Sequence, residues 1–336
     1  MNRGAVSHVP NTRGKSRVAT FHLLLMIGRM DRRKFLGFSA AAISSVKVHA
    51  ADRTDHPATL RFGLITDVQY ADAEPEGERH YRHSLEKLTD AAHWLAKREL
   101  PFTLHLGDFI DRDHASFSKV LPLLKPLGHP VHHLLGNHDF TIEEHLKSQV
   151  PSLLGMPHEY YSLTPAGMRI VMLDTNDRSI YKTPAGNPAA LEAKRHLASL
   201  KSANLPNAKP WNGGLSSRQL EWLDGELVSA AAEKQRAIIC SHHPLLPVDE
   251  FSAWDQNQVV DLIDRHRCVI ASFSGHQHGG AEIVRNGIPY ITFKSILHEP
   301  GVNAYSQISI FADRLEILGN GREISRPFAI PKIGVG

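Results

Sequence analysis

Leu60-Arg61-Phe62-Gly63-Leu64-Ile65-Thr66-Asp67-Val68-Gln69-Tyr70 reads as a short apolar strand that runs directly into a polar string. The run is brief, rich in Leu, Ile and Phe, and stops at a carboxylate, as a buried strand does when it delivers a side chain at its end. The same pattern recurs down the chain. Residues 102–106 lead into Gly107-Asp108-Phe109-Ile110-Asp111, and residues 131–135 into Gly136-Asn137-His138-Asp139. Residues 236–241 lead into His242-His243-Pro244, and residues 269–274 into Gly275-His276-Gln277-His278. Further strands are expected at 169–174, 290–294, 306–311 and 315–318. Between them, 81–98 carries Leu85, Leu88, Ala92 and Leu95 at helical spacing. Residues 216–232 open on a serine cap and place Leu220, Leu223 and Leu227 on one face, and 258–267 forms another short helix. Strands alternating with helices predict an α/β domain, and the strand-rich C-terminal part predicts a second sheet packed on the first. The polar segment 176–214, with several Pro and Gly residues, is expected to be an inserted excursion near the site.

Ligands of α/β sheets bind at the carboxyl ends of strands, so five polar strings at five such ends point to one place. A Gly-Asp or a Gly-Asn-His after a strand is by itself usually a turn. All five together in this placement form a specific signal. Asp, Asn and imidazole donors favour borderline divalent metals such as manganese, iron or zinc. A bridging carboxylate between two such ions makes a clamp for in-line displacement at phosphorus. The glycines before Asp108, Asn137 and His276 are expected to turn the backbone sharply out of the strand.

Composition agrees with an enzyme. The 336 residues are 42% hydrophobic and 22% charged, which excludes wholesale disorder. The net charge of +3 belongs to the N-terminus. Residues 1–50 hold nine Lys and Arg against one acid, Asp31, while the remaining 29 bases and 34 acids carry −5. The body therefore gives no reason to expect a nucleic-acid partner. Cys240 and Cys268 sit in apolar runs, so neither a disulfide framework nor a thiolate zinc cluster is expected.

The N-terminal 50 residues read as a removable leader. Asp31-Arg32-Arg33-Lys34-Phe35-Leu36-Gly37 precedes a weakly apolar run over 38–48, and Val48-His49-Ala50 offers a small-residue exit before Ala51. Paired arginines predict the twin-arginine export machinery as a partner, hence a periplasmic or extracellular protein, or a cytoplasmic one if the leader is not used. The apolar run is too short for a stable membrane anchor. Because the arginine pair lies deep in the chain, Met30 is expected to be the true start. Residues 51–59 are expected to be a linker, 60–320 the catalytic domain and 321–336 a tail.

The order Asp-x-(His/Gln), Gly-Asp-x-x-Asp, Gly-Asn-His-(Asp/Glu), His-x-Pro, Gly-His-x-His resembles that of the calcineurin-like metallophosphoesterases, over residues 60–320. The resemblance implies a four-layer αββα sandwich, two packed mixed β-sheets flanked by helices. It implies that Asp67 and His278 hold a first metal, that Asp108 bridges, and that Asn137, His242 and His276 hold a second. His138 would be the catalytic acid or transition-state stabiliser, oriented by Asp139, while a hydroxide bridging the metals attacks phosphorus in line. Where the family usually has histidine this chain has Gln69, a weaker and harder ligand that leans the first site toward manganese. That departure, with Asp67-Val68-Gln69-Tyr70-Ala71-Asp72, Tyr81-Arg82-His83-Ser84-Leu85 and Asn212-Gly213-Gly214-Leu215, is similar to the manganese-dependent ADP-ribose/CDP-alcohol diphosphatases. It implies hydrolysis of a small-molecule phosphate substrate, a nucleoside diphosphate-linked alcohol or sugar. The alternatives are a broader phosphodiesterase or phosphomonoesterase of the superfamily and a non-catalytic metal-binding protein of the same fold. Tyr70, Arg82, Asn212 and Gly213 are the expected substrate contacts, and His243 a neighbour of the ligand His242.

Overall fold

Residues 57–330 are described by the computed structural model, and the expected leader and true start lie outside them. Twelve strands occur among the described residues: β1 (Leu60–Ile65), β2 (Thr103–His105), β3 (Val131–His133), β4 (Tyr161–Leu163), β5 (Arg169–Met172), β6 (Ala237–Cys240), β7 (Val269–Ser274), β8 (Ala281–Arg285), β9 (Ile288–Thr292), β10 (Ala304–Ile310), β11 (Arg314–Gly321) and β12 (Arg326–Ala329). They form two mixed sheets of six, ordered β12-β11-β10-β1-β2-β3 and β4-β5-β6-β7-β9-β8. In the first, β1, β2 and β3 run parallel while β10, β11 and β12 are antiparallel. In the second, β5, β6, β7 and β9 run parallel, with antiparallel edges at β4 and β8.

Side chains alternate across each strand, and the alternation accounts for the layers. Phe62 and Leu64 of β1, Ile170 and Met172 of β5, Ile238 and Cys240 of β6 and Phe273 of β7 meet in one apolar core between the sheets. Ile65 faces the other way, onto Leu88, Ala92 and Leu95 of the helix Ser84–Ala96. Val171 and Ile239 face Leu223, Leu227 and Ile263 of the helices Ser217–Ala232 and Gln256–Arg265. The result is the expected helix–sheet–sheet–helix order. The serine cap expected at 216 is present, with the Ser216 side chain accepting from Gln219 N.

Several elements differ from expectation. Residues 81–83 form a 3₁₀ turn ahead of the first helix, because successive carbonyls are taken up by i+3 donors there. The excursion contains a 15-residue helix, Pro188–Ser202, capped by Asn187. Its two ends lie side by side, with Arg178 and Gly214 exchanging a pair of backbone hydrogen bonds of 2.9 Å. Residues 326–329, placed in the tail by sequence, pair with β11 as β12, so the first sheet extends beyond residue 320. No helix among the described residues is long and apolar enough to cross a membrane.

Candidate metal and phosphate site

The parallel strands of both sheets end at the same place. β1, β2 and β3 are followed by Asp67, Asp108 and Asn137, and β6 and β7 by His242, His276 and His278. Asp67, Gln69, Asp108 and His276 all adopt positive φ, of 50°, 43°, 58° and 67°. Non-glycine residues enter this left-handed region at a cost, and such strain collects at functional sites. Of the expected pivot glycines, Gly107 does take φ of 98°. Gly136 serves a different end: a Cβ there would collide with Asp108 Oδ1, so glycine lets the two ligand loops touch.

Asp67 accepts from Thr66 Oγ1 at 2.5 Å and from the His276 backbone N–H at 3.1 Å. Asp108 Oδ2 takes the Gln69 amide at 2.7 Å and lies 3.3 Å from His242 Nε2, while its Oδ1 takes the His138 backbone N–H at 2.8 Å. Asn137 Oδ1 is 3.2 Å from His242 Nε2, and Gln69 Nε2 is 3.1 Å from His278 Nε2. His242 donates Nδ1–H to the Leu106 carbonyl at 2.8 Å, which leaves Nε2 facing Asp108 and Asn137. One ligand atom each from Asp67, Asp108 and His242 falls within a 4.8 Å cluster.

Both carboxylates are fully buried, and neither has a lysine or arginine ion-pair partner among the described residues. Burial, with Asp108 adjacent, pushes the Asp67 carboxyl up to about 7. Burial opposes the Asp108 charge too, but His242 and His138 beside it hold that carboxyl well below its usual value. Buried carboxylates, imidazoles and a buried Gln69 Oε1 without a hydrogen-bond partner form a donor set that divalent cations satisfy. The residues present therefore fit a dinuclear metal site, with donors of the expected types.

The second ring of contacts departs from expectation. The Asp139 carboxylate makes no hydrogen bond or ion pair with the His138 ring. Its carboxylate accepts the backbone N–H groups of Gly136 (2.8 Å), Asp108 (3.1 Å), Phe109 (2.8 Å) and Ile110 (3.3 Å), and so ties the Asp108 loop to the Asn137 loop. Burial and Asp108 raise this carboxyl to about 7, against the N–H donors that favour its charge. The partner of His138 is Asp111, 3.0 Å from its Nδ1. Burial disfavours a charged His138, yet Asp108 and Asp111 together raise its pKa above the ordinary imidazole value. Asp111 was in view as the last residue of Gly-Asp-x-x-Asp, which is the signal that names it.

The expected substrate contacts are not in the cleft. Tyr70 is buried in the core under the first sheet. Arg82 is exposed and pairs with Asp72 (2.5 Å) and Glu74 (2.6 Å). Asn212 is fully buried: its amide donates to the Asn207 and Glu250 carbonyls, and its Oδ1 takes His276 Nε2 at 3.0 Å, which orients that imidazole. Gly213 is packed so tightly that a Cβ would collide with the Thr175 carbonyl. The cleft, of about 540 Å³, is lined instead by Arg79, Thr141, Tyr181, Trp211 and Phe251 above Gln69, Asn137, His138, His276 and His278. Arg79 has no ion-pair partner among the described residues. His243 is fully buried beside the site, and its Nδ1 is 2.7 Å from Thr175 Oγ1.

Comparison with known proteins agrees with this geometry. A family model described as calcineurin-like phosphoesterase matches residues 60–280. A protein of Oryza sativa subsp. japonica named manganese-dependent ADP-ribose/CDP-alcohol diphosphatase is 31% identical over 84% of this chain and 96% of its own length. A protein of the same name from Arabidopsis thaliana is 29% identical over 80% of this chain and 96% of its own. The crystal structure of a dimetal phosphatase from Danio rerio superposes with a TM-score of 0.74 at 28% identity, covering 82% of this chain and all of that one. Strand-end donors from two packed sheets, in this order and across this span, place the chain in the calcineurin-like phosphoesterase family.

Proposed function

We propose that the protein is a manganese-dependent hydrolase that cleaves the phosphoanhydride of nucleoside diphosphate-linked compounds, ADP-ribose and CDP-alcohols among them. The observation that carries this reading is the joint geometry of the cleft. Metal donors line its floor, an arginine with no carboxylate partner among the described residues stands at its wall, and Trp211 and Phe251 form an aromatic rim. A diphosphate needs the cationic floor and wall, and a base needs an aromatic face.

Two divalent ions, when bound through Asp67, Gln69, Asp108, Asn137, His242, His276 and His278, would supply charge to stabilise the phosphoryl oxygens and to activate water. The remaining steps belong to side chains. His138, with its proton favoured by Asp111 and Asp108, stands at the cleft wall as the donor to the leaving oxygen. Arg79 binds the phosphate not being attacked. Trp211, 40% exposed with Lys209 Nζ 5.5 Å above its ring, presents a face for the base.

The test is a panel of ADP-ribose, CDP-choline, glycerophosphodiesters and p-nitrophenyl phosphate, assayed after reconstitution with manganese. Turnover of a simple ester with inert nucleoside diphosphates would move the assignment to a broader phosphoesterase. Export through the twin-arginine pathway is proposed from residues 31–50 alone. Fractionation of cells expressing the chain, with an Arg32→Lys, Arg33→Lys variant alongside, tests it, and equal export of both refutes it.

A further inference from the structure

One ring nitrogen of His243 lies within 4.8 Å of nitrogens of His242 and His276, but His243 is outside the donor set assigned above and outside the cleft lining, and both of its ring nitrogens already face hydrogen-bond partners. The Trp211 carbonyl lies 3.2 Å from Nε2 and can only accept, so Nε2 carries a ring hydrogen and donates it there, with the Tyr181 hydroxyl 3.4 Å away. Nδ1 lies 2.7 Å from the Thr175 hydroxyl, which also accepts the His243 backbone N–H at 3.1 Å. Tyr181 donates to Asn176 Oδ1 at 2.7 Å, and Asn176 donates to the Leu135 carbonyl at 2.7 Å. The His243 ring also packs on His276, with centroids 4.4 Å apart.

The chain of bonds joins three segments that otherwise belong to separate parts of the fold. Leu135 immediately precedes the Gly136-Asn137-His138 loop. His243 follows His242 at the end of the second sheet's central strand. Trp211 lies near the end of the excursion. We infer that His243 is a positioning residue that fixes the Trp211 rim over the metal donors and so sets affinity for the nucleoside end of the substrate. The inference rests on the reading of Trp211 as the base-binding face. It separates holding the nucleoside from the chemistry at phosphorus: the residue beside a metal ligand serves recognition, through a backbone carbonyl on another loop.

The test uses the manganese-loaded full chain with CDP-choline, and CMP and inorganic phosphate as competitive inhibitors. His243→Leu keeps the volume but strands the Trp211 carbonyl and the Thr175 hydroxyl, a loss worth about tenfold in binding. The expected result is a KM and a CMP inhibition constant raised about tenfold, with kcat, the phosphate inhibition constant and the manganese concentration for half-activation within twofold of wild type. His243→Gln retains an N–H at a similar reach and should recover most of the affinity. Combining His243→Leu with Trp211→Ala should add little to Trp211→Ala alone. A drop in kcat with weaker manganese activation, or full additivity with Trp211→Ala, overturns the inference. If Trp211→Ala leaves KM unchanged, the base-binding reading of the rim is what fails. If Trp211→Ala raises KM and folded His243→Leu does not, it is the role of His243.

Discussion

Asp139→Asn separates two jobs that a carboxylate in this motif could do. Asp139 Oδ1 takes the N–H groups of Phe109 and Ile110, and Oδ2 takes those of Asp108 and Gly136. An asparagine has the same shape but only one oxygen. Two of the four N–H groups would face an NH₂ group and be left without an acceptor in a fully buried place. Each such loss costs about 1–3 kcal/mol, so the variant should lose about 2–6 kcal/mol of stability. For a domain of this size a kilocalorie moves Tm by about 2 °C, which gives a fall of about 4–12 °C. The assay is thermal unfolding with steady-state kinetics on the same preparations, and Asp111→Asn as the comparison. The polar partners of the Asp111 side chain are the His138 ring and the Thr141 hydroxyl, so its variant should lose kcat and move the basic limb of the pH–rate profile to lower pH with little change in Tm. If Asp139→Asn melts within about 1 °C of wild type and instead reproduces the kinetic defect of Asp111→Asn, the clamp argument is wrong and Asp139 orients the acid after all.

Other outcomes follow from the same contacts. Asp108→Asn removes the carboxylate shared by Gln69, His138 and His242, and should reduce turnover by at least ~10³-fold and lower the manganese bound per chain measured by elemental analysis; activity near wild type would exclude a bridged site. Arg79→Ala should cost kcat/KM for CDP-choline about 10- to 150-fold, the worth of a charged hydrogen bond, whereas Arg82→Ala, which breaks only exposed ion pairs, should change it less than threefold; equal effects would return Arg82 to the site. His105 and His133 form a buried pair with Nδ1 atoms 3.1 Å apart. Burial, then the neighbouring His132, pushes His133 down to about 3, and burial with His133 beside it holds His105 well below 6.5. A histidine whose folded pKa is depressed contributes stability fully present above the unfolded value and lost as pH falls toward the folded one. His133 alone should therefore cost about 2 kcal/mol between pH 6.5 and 5; denaturant titrations of wild type and His133→Gln across that range should differ by about one proton in slope, and identical slopes would refute the assignment.

How much of this was legible in the sequence depended on what carried the signal. The donor residues were readable because each ends a buried parallel strand and has a side-chain type with metal chemistry. Edge elements were not. β4 is three residues long, and four of the five residues of β8 are exposed, so neither shows an apolar run. The helix Pro188–Ser202 buries Ala190, Ala193, Leu197 and Leu200, two of them too small to stand out from a polar, proline-containing stretch. The substrate contacts failed for a geometric reason. Proximity in sequence to a donor stood in for proximity to the cleft, but the backbone turns through a φ of 43° at Gln69, and Tyr70, which bridges Ile110, packs its side chain into the core instead. Likewise Asn212 faces inward to His276, while Trp211 beside it faces the cleft. Arg79 lies on a loop with no periodicity to orient it, three residues before the arginine chosen in its place.

The division of donors between the sheets has a thermodynamic consequence. Asp67, Asp108 and Asn137 come from one sheet, and His242, His276 and His278 from the other, with an apolar core between them that has no covalent cross-link. An ion gripped from both sides is linked to the docking of one half of the sandwich on the other. At a hundredfold excess over its dissociation constant it strengthens that docking by about 2.7 kcal/mol. Read in reverse, loosening the interface far from the cleft, at Phe62 or Phe273, weakens the grip on the ion. Cofactor supply and core packing thus draw on one shared reserve of free energy, and a chain starved of metal should be the first to come apart between its sheets.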